Sequence, residues 1–167
     1  PGIVTIYDVG KSGDLFYICH AYVEGTTLEK LLAVDKRFSL RDSVRIALSI
    51  ARALAYAHER EVVHRNLTPA NIIFTKQGQV VVSEIGILGK VVETTEVRPA
   101  CGVLIGSPEF MAPEQIEDYS VSDRRSDIFA LGAIFYKMVS GQSLFVGESP
   151  VEILARNLEG RYRKLKD

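Results

Sequence analysis

The sequence predicts an α+β fold, mainly helical with a few short β-hairpins, and three observations carry that prediction. Long segments repeat apolar residues at helical spacing, and short runs of β-branched and aromatic residues flank turn-forming residues. Hydrophobic residues make up 47% of the 167, enough to build one core rather than two.

The elements follow in order. Residues 3–9 and 15–23 flank Gly10, Lys11, Ser12, Gly13 and Asp14 and read as a β-hairpin. After Gly25 the pattern turns helical at Leu28, Leu31 and Leu32. A longer helix follows over residues 40–59, with Ser39 as N-cap and Asp42 three residues on. Its apolar positions are expected at Leu40, Val44, Ala47, Leu48, Ala51, Leu54 and Ala55. Residues 71–75 and 79–83, joined through Gly78, read as a second hairpin. Residues 84–114 show little periodicity, and a loop of that length in a compact domain is often functional. An apolar helix is expected over residues 127–139, stopping at Gly141. Pro150 then opens an amphipathic helix through Val151, Leu154 and Leu158. The helices over residues 40–59 and 127–139 are expected to form the centre.

Bulk properties narrow the function classes. Lys and Arg number 20 against 21 Asp and Glu, a formal net charge of -1, with no block of like charge to attract nucleic acid or an anionic membrane. Cys19 and Cys101 lack metal-ligand spacing and read as unpaired thiols of a reduced, cytoplasmic protein, Cys101 the more exposed. No apolar run approaches the ~18 residues that span a bilayer, although a tether elsewhere in the protein is compatible with that. The chain opens on Pro1 rather than Met, so a preceding segment is expected.

The chemistry concentrates in His64, Arg65, Asn66, Leu67, Thr68, Pro69, Ala70 and Asn71. This run resembles the H-R-D-L-K-P-x-N catalytic loop of the eukaryotic-type Ser/Thr protein kinases, particularly the bacterial members. Further signatures follow in the family's order. Ser83, Glu84, Ile85 and Gly86 stand where D-F-G belongs, and residues 106–114 match G-T-P-x-Y-M-A-P-E. Ser126 and Asp127 open the S-D-x-[WFY]-x-x-G helix, and residues 21–25 resemble the E-Y-V-x-G segment between the two lobes.

The resemblance implies a protein-kinase-like fold in which residues 1–23 end the small lobe and hinge, and residues 24–167 form an incomplete large lobe. It implies a nucleotide contacting Ala21, Val23 and Ile73, a metal held by Asn71 and Glu84, and His64 and Arg65 as the loop's structural pair. Asp127 would hydrogen-bond the loop backbone, Glu114 would lack its partner beyond the chain, and Arg65 would meet a phosphorylated residue, Thr94 or Thr95 being nearest.

Three departures decide what such a site can do. Asn66 replaces the catalytic Asp, and a carboxamide has no basicity near neutral pH. General-base assistance is typically worth ~10²- to 10⁴-fold. Thr68 replaces the Lys that neutralises the transferred phosphoryl group, a change a laboratory knockout at Asn66 would not need. Glu84 replaces the Mg²⁺-binding Asp with a side chain one methylene longer, so any ATP and Mg²⁺ would bind weakly. The expectation is a pseudokinase that binds a protein partner and, at most weakly, nucleotide; the alternative is an atypical active Ser/Thr kinase acting on a protein substrate.

Overall fold

A computed structural model of the chain describes residues 2–13, 15–86 and 106–165. Thr94, Thr95 and Cys101 lie outside the described residues. The strands are β1 (Ile6–Ser12), β2 (Leu15–His20), β3 (Gly25–Thr27), β4 (Ile72–Thr75) and β5 (Val80–Val82). The helices are α1 (Leu28–Asp35), α2 (Leu40–His58), α3 (Pro113–Glu117), α4 (Arg124–Ser140) and α5 (Pro150–Leu158). Short 3-10 turns cover Pro69–Asn71 and Tyr119–Val121.

β1 and β2 form an antiparallel ladder of their own, and β1 runs on through Gly10 to Ser12, past the expected start of the turn. The second sheet has the order β3-β4-β5, all antiparallel. Its hairpin is the expected one, but β3 was not foreseen: three residues, one of them glycine, carry no periodic signal. The pairing explains why glycine stands there, since a Cβ on Gly25 would lie 2.1 Å from the Phe74 carbonyl oxygen. The N-terminal segment is tied to the same sheet, with Val4 N–H donating to Val82 O and Val82 N–H to Gly2 O.

The helix ends follow the capping residues. Ser39 Oγ accepts from Asp42 N–H at 3.1 Å and donates to the Asp42 carboxylate at 2.7 Å. Asp123 caps α4 by accepting from Arg125 N–H, which starts that helix three residues earlier than expected. Gly141 ends it in the left-handed region, φ +73°, where a Cβ would approach the Lys36 carbonyl oxygen to 2.9 Å.

α2 and α4 pack against each other at the centre, as expected. The buried face of α2 only partly matches the expected one. Ile46, Ile50, Ala53, Leu54 and Ala57 are buried, whereas Leu40, Val44 and Leu48 are about half exposed or more. Leu54 belongs to both stripes and Ala47 is packed against the core, so the helix is turned from the expected orientation rather than reversed. α5 departs from expectation as well. Val151 and Leu158 are exposed, and its buried residue is Asn157, whose Nδ2 donates to Met111 O at 2.7 Å. Among the described residues no helix is long and apolar enough to cross a membrane, and Cys19 is exposed and unpaired.

Candidate functional site

Residues 64–71 leave α2 through a short irregular stretch and enter β4 through the Pro69–Asn71 turn. Buried polar groups hold this loop in place. Asp127, at the start of α4 and 1% exposed, receives the loop backbone: His64 N–H donates to Oδ2 and Arg65 N–H to Oδ1, both at 2.9 Å. His58 Nε2, at the end of α2, also donates to Oδ2, at 2.7 Å. One carboxylate thus joins two helices and the loop, with charge-assisted hydrogen bonds stronger than neutral ones.

Arg65 adopts φ +67°, a left-handed conformation that costs a non-glycine residue roughly 1–2 kcal/mol. Its peptide groups are pinned on both sides. The N–H is held by Asp127, and the carbonyl accepts from Gln115 Nε2 at 2.9 Å. Gln115 is buried, and its Oε1 accepts from Ala112 N–H at 3.1 Å, capping α3. Glu114 accepts from Ser126 Oγ at 2.8 Å, a different contact from the Arg pairing that the resemblance implied.

His64 is fully buried, and neither ring nitrogen has a hydrogen-bond partner among the described residues. Burial pushes its pKa below the usual 6.5, outweighing the nearby Asp127 carboxylate, so the ring is held neutral.

Asn71 Nδ2 donates to Asn66 O at 2.9 Å, closing the loop on itself. Asn71 O accepts from Ser83 N–H at 2.8 Å, which brings the segment carrying Glu84 beside it. Glu84 is exposed with φ +61°. Asn71 Oδ1 and the Glu84 carboxylate are one amide and one acidic oxygen, a donor set suited to Mg²⁺, which takes one or two carboxylates and fills its shell with water and phosphate oxygens. Among the described residues no group of three or more His, Cys, Asp or Glu could hold a metal without such help.

Asn66 Oδ1 lies 3.1 Å from where a Cβ on Gly106 would sit, so Asn66 faces the start of the 106–117 segment. Thr68 is buried and lines a cleft of ≈ 590 Å³ between α1, the loop, residues 107–110 and the start of α5. Glu29, Glu109 and Glu148 border it, and Lys137 is the lysine that reaches it, paired with Glu109 at 2.9 Å and 5.3 Å from the Phe110 ring centre. Ala21 and Val23 lie half buried between β2 and β3. Ile73 is half buried in β4, opposite Thr27.

The profile of the protein kinase domain matches residues 1–166 of this chain. The chain belongs to the protein kinase family. It is 33% identical over 159 residues to the serine/threonine-protein kinase PrkC of Bacillus subtilis, which covers 95% of this chain and 24% of that protein. It is 33% identical to the PknB kinase of Mycolicibacterium smegmatis and 34% to that of Mycobacterium leprae, each covering 92% of this chain and 25% of the relative. This kinase chain therefore spans about a quarter of the length of the curated relatives it matches. The kinase loop motif was legible in the sequence. Gln115 and His58, which position that loop from 50 and 69 residues away from their partners, were not; the one available signal was Gln115 three residues after Ala112, a capping-box spacing.

Proposed function

We propose that this chain is a pseudokinase module, a kinase-family domain that binds a protein partner and transfers phosphate poorly or not at all. The observation that carries the reading is the contrast within one site. The positioning groups, Asp127, Gln115 and Asn71, are present and engaged, while the reacting positions hold Asn66, Thr68 and Glu84. A carboxamide cannot take the hydroxyl proton and a threonine cannot neutralise a phosphoryl group, so the loop keeps its scaffold without the groups that would use it. The cleft beside Thr68 supports a role in holding a protein segment.

Nucleotide is proposed to bind weakly, between Ala21, Val23 and Ile73, with any Mg²⁺ on Asn71 and Glu84. The module is proposed to work in the cytoplasm. Asn71 and Glu84 favour one competing reading, a slow kinase, because positioning rather than a strong base dominates a loose phosphoryl-transfer transition state. A phosphotransfer assay on the full-length protein separates the two. Incorporation at background level supports the pseudokinase, and incorporation abolished by Asn71→Ala overturns it.

A further inference from the structure

Away from the catalytic loop, a pocket of ≈ 230 Å³ opens at the C-terminal end of α4. Arg37, from the link between α1 and α2, and Arg163 and Lys164, from the segment after α5, converge on it beside Tyr136 and Gln142. No Asp or Glu is among the described residues that line it. Three cations with no acid among the described lining residues repel one another, and the repulsion grows where a concave surface limits screening by water.

A helix C-terminus attracts basic residues, and this accounts for part of the arrangement. It presents only about half an elementary negative charge, however, against three positive ones. The Arg163 guanidinium is also oriented in advance, because it donates to Gln142 Oε1 and the Arg163 backbone is held by Leu144 O. We propose that this pocket binds a phosphate-type dianion. Such a group carries about -1.5 to -2 charge at neutral pH and offers three acceptor oxygens to guanidinium and ammonium donors. Together with the helix end it brings the site close to neutrality, which a monocarboxylate would not. The ligand is either free phosphate or a phosphorylated side chain on a partner protein.

The test is calorimetric titration of the full chain at low ionic strength with inorganic phosphate, with a short phosphoserine peptide, with the same peptide unphosphorylated, and with chloride. Saturable binding of phosphate, absent with chloride and with the unphosphorylated peptide, is expected. Arg37→Gln with Arg163→Gln should weaken it by about tenfold or more, and Arg52→Gln on exposed α2 should leave it unchanged. All these arginines are exposed, so melting temperatures without phosphate should match. A phosphopeptide that binds tighter than phosphate identifies a protein-borne ligand, and equal binding identifies the free anion. Absence of saturable phosphate binding, or equal binding by the double variant and the unaltered chain, overturns the proposal. The titration uses no nucleotide, so its failure leaves the pseudokinase reading standing.

Discussion

His64 shows what burial does to a single titratable side chain in the loop. Its ring is buried and makes no hydrogen bond among the described residues, and burial lowers its pKa. The unfolded chain therefore takes up the proton first as pH falls. Stability is held above the unfolded-state value near 6.5 and declines as pH drops below it toward the folded-state value. The limiting slope for one such group is about 1.4 kcal/mol per pH unit. His64→Phe fills similar space with a ring that cannot titrate, so it should flatten this acid-side decline. Urea unfolding of both proteins between neutral and mildly acidic pH measures the difference, and parallel profiles would show that the ring is not buried neutral.

At the scale of the element, α2 was legible as a helix and only partly legible in its orientation. Its cap, length and period could all be read from Ser39, Asp42 and the spacing of apolar residues. The expected stripe and the buried one overlap at Leu54, and how far the helix turns its apolar side into the core depends on contacts no local pattern encodes. Ile50 is 0% exposed and Leu48 49%. Ile50→Ala should therefore cost about 2–5 kcal/mol of unfolding free energy, while Leu48→Ala should stay within about 1 kcal/mol. Equal losses in denaturant melts would restore the orientation that the sequence favoured. α5 teaches the same lesson through Asn157, a polar residue buried because Met111 O needs its amide. The strand β3 failed for a different reason. Three residues are too few to show alternation, and only β4 makes them a strand. The kinase-family resemblance was legible because the 64–71 motif is contiguous, whereas His58 and Gln115 reach that loop through space.

For the whole molecule, the question is whether chemistry or architecture limits the site. Asn66→Asp, Thr68→Lys and Glu84→Asp together would rebuild a base, a cation and a metal ligand. The 167 residues contain no G-x-G-x-x-G loop to cover a nucleotide's phosphates. Positioning can supply roughly 7–11 kcal/mol in well-oriented systems, more than the three substitutions return. The repaired chain on its own should incorporate no label from radioactive ATP. Incorporation above a mock purification would show that these residues already hold a complete site.

The shared carboxylate of Asp127 has a consequence for the timescale on which the loop opens. His64 and Arg65 lie outside any helix or strand, and loop amides ordinarily trade their hydrogens with water quickly. These two donate to a buried side chain that also fastens α2 to α4, so they can be released only when the two helices part. In deuterium exchange they should behave like the core amides around Ile50 and Ile134, slow and lost together in one cooperative event, while the exposed amides of Lys76 and Gln77 exchange at once.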